Sequence, residues 1–238
     1  MGLTCIHPDT FESQIKLLVS RGYRFSTISG LPDSSDGHQQ MAISFDDGYK
    51  NIVDYAFPVL SRLNIPATVF VITDFIGRDN RWDVALGGIH YSHLAAVDIR
   101  KLYQAGWEIG SHSLTHQSLR GLTLVELRRQ LRDSKRKLEE LIGQAVESFA
   151  PPFGNVSPRI IDAAVGCGYR KVCGFFPLKY FNSPIPPQLV LRLAVYRSDT
   201  SRSLLAKLSG TKRLYREVLK QNIINFCSNA TIAVKSLR

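Results

Sequence analysis

The chain has 238 residues, 44% of them hydrophobic and 21% charged, which suffices for a real core at a length normal for a single α/β barrel. Its net charge of +10 suits nucleic acid, anionic lipid or an acidic polymer, or only aids solubility. We expect one domain over 1–238, no nucleic-acid partner because no binding motif accompanies the basic helix faces, and no membrane span because no apolar run nears ~18 residues.

Predicted strands and helices alternate along the chain. Asp-Thr-Phe-Glu at 9–12 is a capping box that predicts a helix ending at Gly22. After a polar loop, the apolar run at 42–45 predicts a buried strand that stops at Asp-Asp-Gly, residues 46–48. Further strands are predicted at 67–73, 107–110, 146–150, 172–176 and 189–195, and further helices at 49–63, 97–104, 123–141, 157–166 and 203–220. This alternation predicts a mostly parallel sheet or barrel.

Two of these helices carry a further prediction. Pro58 is expected to kink the helix at 49–63 or to start its second part, because proline cannot continue a helical hydrogen-bond ladder. The helix at 123–141 opens on a second capping box and has an apolar face formed by Leu124, Leu127, Leu131, Leu138 and Leu141.

Ligand-type side chains follow two of the predicted strands. Asp46 and Asp47 are adjacent carboxylates, whose repulsion a cation or a shared proton would relieve; the alternative is an ordinary, solvated Asp-Gly turn. His112 and His116 have three residues between them, a spacing that lets both imidazoles face one point. Two histidines and one aspartate are a normal ligand set for a divalent transition metal, and they leave coordination positions open, as a catalytic metal requires.

Three ordered motifs resemble those of the polysaccharide deacetylase family, the NodB-homology enzymes of carbohydrate esterase family 4. They are Ser-Phe-Asp-Asp-Gly at 44–48, His-Ser-Leu-Thr-His at 112–116 and Phe-Ala-Pro-Pro-Phe-Gly at 149–154. Supporting stretches at 65–71 and 105–112 match in the same order. The resemblance extends over about 11–199, and the first two motifs together make it specific.

The resemblance implies a distorted (β/α) barrel of about seven strands and a metal-dependent hydrolase that removes N- or O-acetyl groups from sugars. By that resemblance Asp47, His112 and His116 hold a divalent metal, expected to be zinc. Asp46 is then the general base acting on a metal-bound water. A backbone N–H near Phe153 shares the developing oxyanion.

The chain departs from the family pattern at three places. By the resemblance, Ala150 stands where the third motif has an arginine that orients the base. Arg192 is our candidate replacement and Arg197 is the weaker one; the alternative for Arg192 is a surface or salt-bridge role. No histidine follows His116, so the late Leu-x-His motif has no counterpart, and the leaving amine takes its proton from Asp46, water or another residue. The family's initial strand with a Tyr-His pair is also missing, so we expect a missing or shortened first strand.

Several residues are predicted to line a substrate groove. Trp82, Tyr91 and Pro152 are the candidates, with core packing as the alternative for the aromatic side chains. His90 and His93, in an irregular excursion, are candidates for the same wall.

The sequence therefore predicts a deacetylase whose substrate is an N-acetylated oligo- or polysaccharide. One rival keeps the fold and metal but hydrolyses another C–N bond, as in a small cyclic amide. The other rival, motivated by Ala150 and the missing late histidine, is a catalytically impaired carbohydrate-binding descendant. As written the chain lacks a signal peptide and reads as cytoplasmic, with the envelope or periplasm open if it is a shortened piece; the glycan and oligomeric state stay open.

Overall fold

The computed structural model describes residues 5–32, 39–80, 91–175 and 185–208. Its strands are β1 (Arg24–Ser26), β2 (Gln40–Ala42), β3 (Ser44–Phe45), β4 (Thr68–Val71), β5 (Glu108–Ser111), β6 (Ser148–Phe149), β7 (Lys171–Phe175) and β8 (Leu189–Arg192). Its α-helices are α1 (Pro8–Ser20), α2 (Phe57–Arg62), α3 (Ala96–Gln104), α4 (Leu124–Ile142), α5 (Pro158–Gly166) and α6 (Ser201–Leu208). Among the described residues, no helix combines the length and apolarity that crossing a bilayer requires.

The sheet is parallel and curls until its two edges approach. Six strands pair in the order β3-β4-β5-β6-β7-β8, and β1 pairs with β2 in a separate two-stranded sheet. In a flat sheet the five spacings between β3 and β8 would total about 24 Å. Instead Arg192 Nη1, on β8, lies 3.1 Å from Ser44 Oγ, on β3. The predicted distorted (β/α) barrel is therefore confirmed, with eight strands in the described part of the chain where about seven were expected.

The two faces of the curled sheet pack differently because side chains alternate along each strand. Outward-facing residues such as Val69, Ile109 and Phe149 join the large core beneath the helices. On the inner face, Phe70, Ala150 and Cys173 form a smaller cluster together with Ile28, which follows β1. Gly110 also faces inward, where an added Cβ would lie 2.5 Å from the Phe70 ring. Because glycine has no side chain, this position leaves the space that the Phe70 ring occupies on the inner face of the sheet.

Several local predictions need correction. The capping box at 9–12 is wrong, because α1 begins at Pro8, whose fixed φ suits the first helical position, and His7 Nδ1 accepts from the Asp9 N–H. Leu124 is 44% exposed, because it is the first residue of α4 and its side chain lies outside the buried stripe. Strand β1 was not predicted, and the buried strand expected at 42–45 is instead half-buried and divides into β2 and β3, which belong to different sheets.

Other local predictions are confirmed. The helix after Gly48 is interrupted near Pro58, where a π-helical turn over Ile52–Ala56 gives way to α2. Thr123 Oγ1 accepts from the Glu126 N–H at the start of α4. Of the last predicted helix, α6 covers the first part, and the remainder to 220 lies outside the described residues.

Candidate active site

The predicted site residues meet at the carboxyl edge of the sheet. Asp46 and Asp47 follow β3, His112 follows β5, and Arg192 is the last residue of β8. Because all these strands are parallel, their carboxyl ends lie on one side of the molecule. The turn after β6 adds Phe153, whose ring lies edge-on to His116 at 4.8 Å between centroids.

Asp47, His112 and His116 form a cluster of possible metal ligands. Asp47 Oδ1 lies 3.3 Å from Nε2 of His112 and 3.3 Å from Nε2 of His116. The three ligand atoms all lie within 4.8 Å of one another, and both imidazoles are buried. It is the only such cluster among the residues that the structure describes.

The donor set fits a divalent transition metal. Ligands bound tetrahedrally to zinc at 2.0–2.1 Å stand about 3.3 Å apart, which is the distance from Asp47 Oδ1 to each imidazole nitrogen. Nδ1 of His112 donates to the Ala150 carbonyl at 2.7 Å, so in the neutral ring Nε2 keeps its lone pair for a ligand bond. A backbone carbonyl in this position is the usual partner that orients a metal-binding histidine.

The site concentrates unusual backbone conformations. Within the described chain, five residues other than glycine have positive φ, and four of them lie here: Asp47 (68°), Ser113 (71°), His116 (60°) and Phe153 (61°). Each such residue costs of order 1–3 kcal/mol and persists only where the surrounding structure holds it. The contacts that hold these turns are therefore part of the site.

Gln130 holds the loop between the two histidines. This fully buried side chain of α4 accepts from the backbone N–H groups of Leu114 and Thr115, at 3.1 and 3.2 Å. Ser113 Oγ accepts from the His116 N–H at 3.1 Å. These bonds fix the separation at which the two imidazoles turn toward Asp47.

Arg192 binds Asp46 at two points. Nη1 donates to Oδ1 at 2.6 Å and Nη2 donates to Oδ2 at 3.0 Å. The guanidinium lies over the rings of Phe70 and Phe175, at 5.1 and 5.4 Å from their centroids. The predicted approach of Arg192 to the cleft is thus present in the structure, and this bidentate contact restricts the rotation of the Asp46 carboxylate.

The charges of the site perturb its pKa values. Burial alone would raise the pKa of both acids, but the hydrogen bonds that His112 and His116 donate when their rings are protonated bring the pKa of Asp47 well below its ordinary value. The charge of Arg192 likewise outweighs burial and lowers the pKa of Asp46. Burial lowers the pKa of His116, whereas for His112 the bond to Asp47 prevails over burial and its pKa is raised. Both carboxylates are therefore ionised at neutral pH.

The predicted groove residues lie in different surroundings. Tyr91 is half-buried. Its ring lies 5.7 Å from that of Tyr49, the residue that directly follows the Asp-Asp-Gly turn. Pro152 is buried within its turn, and the half-buried Phe153 is the part nearer the surface. Trp82 and His90 lie outside the described residues.

The contacts that three residues make at the site were not predicted from the sequence. Gln130 carried a signal, since it is a polar residue among the leucines that α4 buries. Ser44 did too, because it lies two residues before Asp46 and therefore on the same face of the strand. His93, predicted as a groove candidate, is instead buried against the Asp47 carbonyl, and no local pattern marks that contact.

Comparison with known proteins finds one matching family and several proteins of similar sequence. A family model for polysaccharide deacetylase matches residues 33–172. YxkH of Bacillus subtilis, whose name refers to polysaccharide deacetylases, is 28% identical over 165 residues, covering 67% of this chain and 55% of that protein. A poly-beta-1,6-N-acetyl-D-glucosamine N-deacetylase of Staphylococcus aureus is 26% identical over 159 residues, covering 60% of this chain and 52% of that protein. The chain spans about half the length of these curated relatives.

Solved structures share the fold. A polysaccharide deacetylase from Bacillus cereus matches with a TM-score of 0.70 at 25% identity, over 86% of this chain and 62% of that one. The deacetylase PplD of Streptococcus pyogenes, in complex with acetate, matches with a TM-score of 0.71 at 18% identity, over 87% and 88% of the two chains. At that identity the second likeness speaks for the fold alone.

Proposed function

This chain belongs to the polysaccharide deacetylase family, and on that premise we propose that it is a metal-dependent hydrolase that removes acetyl groups from an N-acetylated glycan. The observation that carries the proposal is the convergence of Asp47, His112 and His116 on one point, with Asp46 beside it. Zinc is the proposed metal, because two imidazoles and one carboxylate with open positions are a catalytic zinc ligand set.

Asp46 is the proposed general base. A divalent cation held by Asp47, His112 and His116 would supply Lewis acidity, lowering the pKa of water toward about 7 and polarising the acetyl carbonyl. Asp46 then needs only modest basicity, in keeping with its lowered pKa. Arg192 takes one acceptor position on each carboxylate oxygen, and a carboxylate has about four, so Asp46 keeps positions for the water proton.

The same carboxylate is proposed to complete the reaction. Water oxygen bonds to the acetyl carbon, and the carbon–nitrogen bond then breaks, releasing acetate and a free amine. Asp46 returns to the amide nitrogen the proton it took from water, a role that suits a sequence with no histidine after His116. A backbone N–H in the turn at Phe153 is proposed to hold the developing oxyanion.

The proposed substrate is a polymer of N-acetylglucosamine. The name of the Staphylococcus aureus relative supports the β-1,6-linked polymer as the first to test. Tyr91 and Trp82 are the proposed contacts of the sugar chain, because their aromatic faces are suitable stacking partners, whereas the predicted Pro152 is buried within its turn.

The decisive experiment measures bound metal and acetate release on one preparation. The zinc-loaded protein is incubated with β-1,6-linked and β-1,4-linked N-acetylglucosamine oligomers and with a small cyclic amide. We expect acetate from an oligomer and no hydrolysis of the cyclic amide. Hydrolysis of the cyclic amide alone would show that the site acts on another kind of C–N bond. Binding of the oligomer without acetate release would show that the protein binds carbohydrate and does not hydrolyse it.

A further inference from the structure

The backbone carbonyl of Asp47 is held by a histidine that no family motif of this sequence contains. Nδ1 of His93 lies 2.8 Å from that carbonyl oxygen, and the histidine is 3% exposed. A carbonyl only accepts hydrogen bonds, so the proton of this bond is on Nδ1.

The segment that carries His93 is itself bonded to the turn. The Lys50 N–H donates to the Ser92 carbonyl at 2.8 Å, and the Leu94 N–H donates to the Gly48 carbonyl at 2.8 Å. On its other side, the His93 N–H donates to the Arg78 carbonyl at 2.9 Å. The backbone of His93 is therefore fixed on both sides.

The imidazole ring is fixed as well. It stacks on Tyr49 with centroids 4.8 Å apart and an angle of 25° between the planes. The ring of Phe75 lies 5.3 Å away on a tilted contact. A ring confined in this way directs its Nδ1–H at one acceptor, which is Asp47.

The backbone of Asp47 has a conformation that needs such support. It and Gly48 are consecutive residues with positive φ, at 68° and 65°. We propose that His93 is a positioning residue, whose bond to the Asp47 carbonyl keeps this conformation and so aims the carboxylate at His112 and His116. The inference rests on the proposed function, because it takes Asp47 as a metal ligand.

Four variants test the proposal. His93→Phe keeps a ring for the stack and removes the donor, whereas His93→Asn places an N–H near the position of Nδ1. His93→Gln places its N–H near the position of Nε2 instead. Ser92→Ala is the matched control, since it removes the 2.8 Å bond to Asp79 in the same segment without touching Asp47.

The measurements are zinc and cobalt affinity by chelator competition, and the visible spectrum of the cobalt form. We expect His93→Phe and His93→Gln to bind both ions about 10–100-fold more weakly with an altered cobalt spectrum. His93→Asn should recover most of the affinity, and Ser92→Ala should match the parent protein.

The outcomes separate the two proposals. A parent protein that binds neither ion overturns the proposed function. A parent that binds, with His93→Phe binding equally well, overturns only the role of His93. An equal loss of affinity in His93→Asn and His93→Gln would assign the effect to packing of the ring, and would also overturn the role of His93. If circular dichroism shows that His93→Phe does not fold, the comparison of His93→Asn with His93→Gln decides the test.

Discussion

Arg192 and Asp46 are 146 residues apart in the sequence and meet through two hydrogen bonds of 2.6 and 3.0 Å. Arg192 ends the last strand of the sheet and Asp46 follows the first, so one ion pair joins the two edges. The same contact therefore helps to close the curled sheet and to orient the proposed base.

Replacing Arg192 with lysine should reduce turnover without reducing metal binding. A lysine ammonium cannot make two parallel hydrogen bonds, so the carboxylate of Asp46 gains freedom to rotate. We expect kcat for acetate release to fall about 10–100-fold, the order of loss caused by misplacing a catalytic group by 1 Å. Arg170→Lys, at the exposed pair with Glu147, is the matched control. Unchanged kcat in Arg192→Lys would argue against an orienting role.

Asp46→Asn and His112→Ala should fail in different ways. The amide cannot accept the water proton, so Asp46→Asn should lose about 10²–10⁴-fold in kcat, the usual contribution of a general base. Zinc content, measured by atomic emission, should stay near that of the parent protein. His112→Ala should lose both zinc and activity, because a ligand atom is gone. Full activity in Asp46→Asn would refute its assignment as the base.

Gln130→Met should destabilise the protein through the histidine loop. The methionine fills a similar volume but leaves two backbone N–H groups of the loop, at Leu114 and Thr115, without their acceptor. An unsatisfied buried donor costs about 1–3 kcal/mol, so for two donors we expect urea unfolding to report a loss of about 2–6 kcal/mol and zinc affinity to fall with it. Gln130→Glu keeps the acceptor oxygen and should retain more of both. Parent-like stability in Gln130→Met would show that the loop holds itself.

A second buried ion pair should make stability depend on pH. Asp199 Oδ2 accepts from Lys207 Nζ at 2.6 Å and from the Tyr196 N–H at 2.7 Å. Burial alone would raise the pKa of Asp199, but these bonds outweigh it and the pKa is lowered. A lowered folded-state pKa stabilises the protein above the unfolded value of about 3.9, and that contribution is lost as pH falls through the folded pKa.

Lys207→Met tests this directly, because it leaves the carboxylate buried without its cation. We expect a loss of about 3–5 kcal/mol in unfolding free energy at pH 7. The difference from the parent protein should be smaller at pH 4 than at pH 7, because burial without the cation raises the pKa of Asp199 in the variant, and its protonation relieves the cost. It should shrink further as the pH falls through the lowered folded-state pKa of Asp199 in the parent. The exposed pair of Lys16 and Glu12 supplies the control, and Lys16→Met should change little at either pH. A pH-independent difference would contradict the assignment.

The sequence by itself determined the order of the elements and the edge at which the chemistry lies. Strand alternation, the Asp-Gly turn and the proline at the start of α5 are local signals, and they located β3, α3 and α5 to within a few residues. The cap of α1 shows the limit even locally, since His7 replaced the expected Asp9.

Only the tertiary structure decided which partners surround the ligands. The contacts of Arg192 with Asp46, of His93 with Asp47 and of Gln130 with the loop at 114–115 join residues on different elements. The curl of the sheet and the packing of α4 against it set those distances. The periodicity of side chains along one strand or helix carries no information about either. That is why three ligand-type residues could be named from the sequence, whereas the groups that hold them in place required the fold.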